Sequence, residues 1–584
     1  MNKIDLNKIL SSRFENYFTG KPRIIRNVIF SLLKRILYIN KINYFIEKHG
    51  HLDAKQFIAE LFEEMNFSFL ASNGDLHKIP AEGRLICVAN HPIGSLDSLA
   101  LLKAFLEIRN DVKIIANDLL SNLEFIKPYL LPLNLESTSA QKENILAINK
   151  ALENEYAVII FPAAEVSRLK WIYITDNKWN RGAVRFAKKF NAPILPVFIS
   201  AKNSALFYVV SVLNKKLSMF LLVHELFNKR NKTIRIKVGD MIPAKVFSSS
   251  MISDAYQTKL LRKHVYKLGF NGKPVYITEK NVIRPVDRKS IKRELSRADL
   301  INITKDGKRI YLTTKNESPE TVNEIARLRE LTFRKVGEGT GKKLDLDKYD
   351  EYYFHLVVWD DNDLEIVGAY RIGVGKIINS KLGIQGFYTS TNFDFSDEFI
   401  HTYLNSSIEL GRSFVQKKYW NTNALNYLWQ GIGAYLQNYP SVKYMFGGVS
   451  ISNSYPGFAV EAMVFYFTKW FPPQTELANS HRKYLIGDRK KEELSQTFVG
   501  RNAKEDYKIL KNMLRPVGYS IPVLYKHYSD LCENNGVQFM DFGIDPDFEN
   551  CVDGLIFVNV DLIKEEKKQK YIYSNFRNNL KLPA

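Results

Sequence analysis

From about residue 84 the chain alternates short apolar runs with stretches of helical periodicity, and this alternation restricts its fold more than any other feature. Leu85-Ile-Cys-Val-Ala89, Val112-Lys-Ile-Ile-Ala116, Ala157-Val-Ile-Ile-Phe161 and Ile194-Leu-Pro-Val-Phe-Ile199 are β-type runs too short for helices. Helical stretches lie between them, such as Ala140 to Glu155 and Arg181 to Phe190. The pattern predicts an α/β domain with a mostly parallel sheet flanked by helices. At 584 residues the chain is too long for one core, so a second domain is expected. Residues 280–320 turn basic and polar, placing a boundary near 285–300 and giving domains of 1–285 and 300–584. The second pattern opens with a helix around Glu324 to Arg334. It continues through strands His355-Leu-Val-Val-Trp359 and Ile366-Val-Gly-Ala-Tyr-Arg-Ile372.

The formal charge of +21 calls for an anionic partner, either nucleic acid or an anionic membrane. No zinc spacing, RNP-type aromatic signature or basic-region heptad is present, so nucleic acid has no reader. No segment offers the roughly 18 charge-free apolar residues of a spanning helix. The nearest, Ala205 to Leu226, is broken by Lys215 and Lys216. Residues 23–39 place apolar side chains at helical spacing and Arg23, Arg26, Lys34 and Arg35 on a basic face. Such a helix suits a lipid interface, or equally a core-facing position with a solvated basic side. The N-terminus has no apolar signal-peptide run, and Cys87, Cys532 and Cys551 show no motif spacing, as expected of reduced thiols.

His91 directly follows an apolar strand in Asn90-His-Pro-Ile-Gly-Ser-Leu-Asp97, and Asp97 begins the next helical run. Residues at strand ends of α/β sheets project into a crevice. Pro92 and Gly94 make the connection tight, and Ser95 is a candidate helix cap. The Asp97 carboxylate can then reach one imidazole nitrogen while the other takes a proton from a hydroxyl. A core histidine or an idle loop histidine would look the same in isolation. Downstream come Phe161-Pro-Ala-Ala-Glu-Val-Ser-Arg168 and Ala192-Pro-Ile-Leu-Pro-Val-Phe198. In order and spacing these three blocks resemble the glycerophosphate/lysophosphatidate acyltransferase superfamily over roughly residues 80–200. Five residues separate His91 from Asp97 where that superfamily commonly has four, and the second block reads Glu-Val-Ser-Arg. Both departures resemble the branch that acylates lyso-ornithine and lyso-glycine lipids. The resemblance implies His91 and Asp97 as catalytic, with Glu165 and Arg168 holding the acceptor's carboxylate. A structural Glu–Arg pair is the plain alternative. Ala164 stands where that branch has Gly, which puts close backbone approach in question.

The second half carries Leu328-Arg-Glu-Leu-Thr-Phe333, Asp345-Leu-Asp-Lys-Tyr-Asp350, Val367-Gly-Ala-Tyr-Arg-Ile372 and Ile408-Glu-Leu-Gly-Arg-Ser-Phe414. Read singly, Glu409 and Arg412 are an ordinary i,i+3 helix pair. Together the blocks resemble GNAT-type N-acyltransferases that draw acyl chains from acyl carrier protein, so the expected fold is GNAT-like α+β. The resemblance implies that Asp350 and Glu409 act on the amine, with Arg329, Phe333, Asp347, Arg371 and Arg412 binding substrate. The glycines of Tyr427-Leu-Trp-Gln-Gly-Ile-Gly-Ala434 suit either a carrier arm or close helix packing. The terminal segment from Pro522 to Phe548 resembles the aminolipid N-acyltransferases, whereas homoserine-lactone synthases lack it.

The fused order resembles bifunctional ornithine-lipid or glycine-lipid synthases. It implies that the C-terminal half N-acylates glycine or ornithine with a 3-hydroxyacyl chain, and the N-terminal half O-acylates the 3-hydroxyl of the lyso-aminolipid. The implied co-substrate is acyl-ACP or acyl-CoA, with no metal or bound cofactor. The implied partners are acyl carrier protein and an anionic membrane, and the implied place is the cytoplasmic face of the bacterial inner membrane. The alternatives are a lysophospholipid acyltransferase of the 1-acylglycerol-3-phosphate type with an accessory GNAT domain, a lactone-releasing GNAT, or a non-catalytic tether.

Overall fold

The structure is a computed structural model describing residues 38–116, 126–132, 138–248, 251–533 and 535–573. The basic amphipathic stretch at 23–39 lies almost wholly outside these residues. The chain forms two compact units, Met1–Arg284 and Pro285–Ala584.

In the first unit, β1 (Ser68–Leu70), β2 (Leu85–Ala89), β3 (Val112–Ala116), β4 (Leu130–Pro132), β5 (Ala157–Ile160), β8 (Ile194–Ser200) and β9 (Thr233–Val238) form one sheet in the order β1-β9-β8-β2-β5-β3-β4. Every neighbouring pair is parallel except β8–β9. The hairpin of β6 (Arg168–Lys170) and β7 (Tyr173–Thr175) stands apart from it. β2 is buried on both faces, which explains its unbroken apolar run. Leu85, Cys87 and Ala89 pack with helix α1 (Ser95–Leu106), while Ile86 and Val88 face helices α2 (Thr138–Glu153) and α3 (Gly182–Phe190). The mostly parallel, helix-covered sheet is the α/β architecture expected from the alternation. The interrupted run at 205–226 is two helices, α4 (Ala205–Leu213) and α5 (Lys215–Asn228). No described helix is long and apolar enough to cross a membrane.

The second unit is an eight-stranded sheet: β10 (Asp299–Ile303), β11 (Arg309–Thr313), β12 (Phe354–Asp360), β13 (Glu365–Val374), β15 (Ser407–Val415), β16 (Tyr444–Ile451), β19 (Cys551–Asn559) and β18 (Val537–Asp545) in spatial order. All its pairings are antiparallel except β15–β16. Helix α6 (Pro319–Val336) packs with Trp359 and Phe414, and helices α7 (Ala424–Asn438) and α8 (Gly457–Trp470) join the largest core cluster. This is the expected GNAT-like α+β fold. The polar stretch at 280–320 is more structured than its composition suggested, since it contains β10, β11 and a helix at Arg288–Leu295.

The glycines of α7 serve close packing. A Cβ on Gly431 would lie 2.8 Å from Leu356, and one on Gly433 would lie 2.1 Å from the Tyr571 carbonyl oxygen. The second obstacle is backbone and cannot rotate away. Gly433→Ala is therefore expected to destabilise the protein by about 1–3 kcal/mol, read as a lower urea midpoint with unchanged slope.

Candidate active sites

The first site forms because β2 and β5 pair in parallel, Val88 against Ile160, so the segments following both strands leave the same edge of the sheet. The His91 ring packs on Phe161 with centroids 4.4 Å apart. The Ser167 N–H donates to the His91 carbonyl at 2.8 Å. Asn90 clamps the neighbouring strand, donating to Ile199 O at 2.9 Å and accepting from Ile199 N–H at 2.7 Å.

Asp97 is fully buried, and its Oδ2 lies 3.3 Å from His91 Nδ1. The same oxygen accepts the backbone N–H groups of Ile93 at 2.8 Å and Gly94 at 3.1 Å. Burial pushes the Asp97 carboxyl above its ordinary pKa, while His91 and those two N–H groups pull against the rise. The capping residue is Gly94 rather than Ser95, which sits inside the first turn, and Asp97 closes the capping box. Gly94 has φ +93°, a value that a Ser at the cap would resist. His91 Nδ1 is buried while 16% of the side chain is exposed, so an incoming hydroxyl meets the other edge of the ring.

Glu165 and Arg168 do meet, Arg168 Nε lying 3.3 Å from Glu165 Oε2. Glu165 also accepts from Asn177 and pairs with Lys215 at 2.8 Å, and Arg168 donates to Ser218 Oγ at 3.1 Å. Burial would raise the Glu165 carboxyl, but Lys215, Asn177 and Arg168 hold it below its usual value. Ala164 occupies the left-handed region at φ +55°, a strain of about 1–2 kcal/mol that a glycine would not carry. Sequence reasoning passed over Asp176. This buried carboxylate accepts from the His91 N–H at 3.3 Å, Ser167 Oγ at 2.5 Å and Trp179 Nε1 at 2.9 Å. It lies 85 residues from His91, in a segment without any motif to mark it.

The second site is a closed ring of alternating charges. Arg329 forms a two-pronged pair with Asp350, at 3.0 and 2.9 Å. Arg371 reaches Asp350 at 3.4 Å and Asp347 at 2.7 Å. Arg412 lies 3.9 Å from Asp347 and 3.5 Å from Asp345, and Asp345 returns to Arg329 at 3.3 Å. Burial would raise the Asp350 carboxyl, but Arg329 and Arg371 hold it far below the carboxylate range. Beside it burial pulls His355 down to about 4, so that imidazole is neutral near pH 7. Arg371 stacks on Tyr349, Tyr353 and Tyr388, and Arg412 on Tyr388 and Phe548. Phe333 meets Phe548 edge-on at 5.3 Å.

Glu409 and Arg412 are not a helix pair, because both stand on β15. The Glu409 carboxylate accepts from the Tyr353 hydroxyl and from the Thr389 N–H at 2.7 Å. The β13–β15 register shifts between Ala369 and Arg371, and Arg412 takes φ +49°, a bulge that turns its side chain to the same cluster. β15 and β16 pair only over Ser407–Glu409 and Tyr444–Phe446 although both strands run on. At Gly411, just past the last pair, a Cβ would meet nothing within 4 Å. The strands therefore leave a gap in the sheet beside Arg412.

Asp345, Glu338 and Asp553 complete this site and were not singled out from sequence. Asp345 was legible in the Asp345-Leu-Asp-Lys-Tyr-Asp350 spacing. Glu338 follows the end of α6, where burial and the neighbouring Asp553 raise its carboxyl to about 7. Burial and Asp545 raise Asp553 to about 6, against Ser450, Cys551 and Arg412. Among the described residues no cluster of His, Cys, Asp or Glu could hold a metal ion.

Comparison with known proteins places each half. Residues 20–271 match the Acyltransferase family model, and residues 328–430 match the Acetyltransferase (GNAT) domain. The chain is 35% identical over 318 residues to a glycine N(alpha)-acyltransferase of Bacteroides thetaiotaomicron, covering 52% of this chain and 94% of that one. It is 27% identical over 275 residues to a lyso-glycine lipid O-acyltransferase of Phocaeicola vulgatus, covering 45% of this chain and 95% of that one. An L-ornithine N(alpha)-acyltransferase of Agrobacterium fabrum is 29% identical over 151 residues, 25% of this chain and 49% of that one.

The charge ring allows a direct test. Arg329→Met leaves Asp350 and Asp345 short of a buried cation, with an expected loss of about 3–5 kcal/mol. Urea unfolding followed by tryptophan fluorescence reads it, and an unchanged midpoint would remove the ring from any structural account. With both halves matched along nearly the full length of separate relatives, the chain belongs to the aminolipid acyltransferases, an acyltransferase half followed by a GNAT-type N-acyltransferase half.

Proposed function

We propose that the chain makes a diacylated glycine lipid in two acyl transfers. In the first, the second unit passes a 3-hydroxyacyl group from the thioester of an acyl carrier protein or coenzyme A to the amine of glycine. The nitrogen attacks the thioester carbonyl, the C–N bond forms, the C–S bond breaks, and the amine's surplus proton passes to a carboxylate and on to the thiolate. In the second, the first unit acylates the 3-hydroxyl of that product. His91 takes the hydroxyl proton and returns it to the leaving thiolate, with Asp97 stabilising the imidazolium. The observation that carries the reading is the presence in one chain of counterparts to both a glycine N-acyltransferase and a lyso-glycine lipid O-acyltransferase, each matched over nine-tenths of its length. The ornithine enzyme is matched over only 49% of its length, which supports glycine as the amine.

The site geometry supports a division of labour. Asp350 is fully buried and held by two guanidinium groups, so it shapes the site instead of taking a proton. Arg329, Arg371 and Arg412 fix the carboxylates around it, and Phe333 supports Arg412 through Phe548. Asp347 lies at the more open edge of the ring, its side chain 23% exposed, and suits the amino group of glycine, whose ammonium form gives up one proton to water before the nitrogen attacks. Glu409 orients Tyr353 beneath Arg371. Glu338 and Asp553, which face each other and Arg412 and whose carboxyls burial raises to about 7 and about 6, are assigned as the bases for the amine proton. In the first unit Arg168 and Lys215 supply cations for the carboxylate of the lyso-lipid, with Glu165 setting their positions. The anionic membrane face of the cytoplasm is where such an acceptor is met.

Expression in a bacterium without aminolipids tests the reading by lipid mass spectrometry. The wild-type chain is expected to yield N-(3-hydroxyacyl)glycine and its O-acylated form, and His91→Ala only the first. Normal diacyl product from His91→Ala would remove the histidine from the mechanism. A second expectation concerns pH. Bases near 6 and 7 make N-acylation rise between pH 5.5 and 7.5, a rise that Glu338→Gln with Asp553→Asn flattens in an initial-rate assay. Stability runs the other way. The Glu338 carboxyl is raised in the folded state, so its contribution is complete below about 4.5 and lost as pH passes through about 7. Glu338→Gln should therefore gain on the order of 2 kcal/mol over the wild type at pH 8 and little at pH 4.5, read by urea unfolding at the two pH values.

A further inference from the structure

The β6–β7 hairpin has a base tied to the first reaction centre and an exposed tip. At the base, Ser167 donates to the His91 carbonyl, and Asp176 accepts from both the His91 N–H and Ser167 Oγ. From there five consecutive residues, Leu169 to Tyr173, are exposed. Trp171 is 97% exposed, Ile172 79% and Tyr173 70%, an unusual state for three large apolar side chains at a turn. Helix α4 packs against β6, and both rest on the small cluster of Val166, Phe207 and Tyr208. On the outer side of α4, Leu206, Val209, Val212 and Leu213 are all more than half exposed. Their spacing is that of one helical face, with Phe207 and Tyr208 turned inward.

The exposed charge around these residues is mostly positive. Lys170, Lys178 and Lys202 are exposed and Lys215 is paired with Glu165 at 2.8 Å, whereas the one carboxylate within 166–178 and 201–216, Asp176, is fully buried. Apolar rings and branched chains within a rim of lysines complement a bilayer with anionic head groups, where tryptophan and tyrosine settle at the interface and lysine meets phosphate. A protein partner of ordinary interface chemistry would be met by fewer lysines.

We propose that the hairpin tip and the outer face of α4 are the surface by which the first unit enters an anionic lipid bilayer. Trp171 lies four positions beyond Ser167, about 13 Å of extended chain. A tip buried among acyl chains then leaves His91 at the depth of the head groups. The 3-hydroxyl of a membrane-held lyso-lipid lies close to its head group, so insertion sets the nucleophile at the level of the base. Docking stands on the exposed surface alone, while its consequence for turnover rests on the O-acylation reading.

The test uses the full chain with vesicles of phosphatidylcholine containing 30% phosphatidylglycerol, and with phosphatidylcholine alone. Wild type is expected to sediment with the anionic vesicles, and Trp171→Ser with Ile172→Ser to bind at least tenfold more weakly. Lys170→Glu with Lys202→Glu should weaken binding to the anionic vesicles only, by a factor that shrinks in 0.5 M salt. Trp171→Phe should bind as wild type does but lose most of the blue shift in tryptophan emission on vesicle addition. A Trp171–Ile172 double variant that partitions like wild type overturns the proposal. So does a wild type that is dimeric in solution and made monomeric by the same change, since the face then joins two copies. Turnover separates the two readings: the double variant should keep its O-acylation rate on a short-chain, soluble N-(3-hydroxyacyl)glycine and lose it on the vesicle-bound long-chain form. If wild type acylates neither, the reaction assignment fails while the binding comparison still decides the docking.

Discussion

Three arginines and three aspartates in a closed ring hold the second unit to its chemistry. Arg329 and Arg371 are almost wholly buried, as are Asp345 and Asp350. Charges withdrawn from water in this way are tolerated only when every one is matched. Each guanidinium in the ring touches two carboxylates and each carboxylate two guanidiniums. The members come from α6, the segment before β12, β13 and β15, so the ring fastens helix and sheet in one register. The tyrosines stacked on Arg371 shut out water from the remaining side. Only Asp347 keeps appreciable exposure, so the member of the ring left near the surface is a carboxylate.

The first unit handles one buried carboxylate by different means. Among the described residues no guanidinium pairs with Asp97. It is held by an imidazole and by the N–H groups at the start of α1, where the helix dipole also favours negative charge. A partner of this kind is weaker than a fixed cation and changes charge when it takes a proton, which is the property a base requires. The backbone of His91 is fixed by Ser167 and Asp176, so the ring's freedom is limited to what the reaction uses.

Much of this was readable from residues, for reasons that also explain what was not. β2 is buried on both faces and β3 carries a single charge, so Leu85–Ala89 and Val112–Ala116 stood out at their full extent. His91, Asp97, Glu165 and Arg168 fall in continuous segments directly after strands, where a motif and its structural context coincide. Glu409 and Arg412 were ambiguous because a separation of three suits a helix face, whereas on a strand it puts two side chains on opposite faces unless a bulge intervenes. That bulge at Arg412 has no sequence signature, since the left-handed residue is an arginine and the adjacent Gly411 has an ordinary φ. Asp176, Glu338 and Asp553 were hidden for another reason. Each acts through neighbours distant in sequence, and burial, which alters a carboxyl's chemistry, is a property of the packed chain.

The two centres differ because their nucleophiles do. An α-amine is a good nucleophile once its ammonium form has lost a proton, and it releases its surplus proton only after bond formation begins. In the proposed reaction a carboxylate raised to about 6 or 7 by burial is strong enough to accept it and weak enough to return it to the thiolate. An alcohol, with an acidity near the roughly 16 of water, must lose its proton as the bond forms. It therefore needs a base aligned on the oxygen and a counter-charge ready for the protonated base, the roles proposed for His91 and Asp97. The hydroxyl also arrives already attached to the amide, so the amine-acylating site has to act first. A chain that contains both solutions can take a free amino acid to a two-chain lipid with thioesters as its only activated reagents.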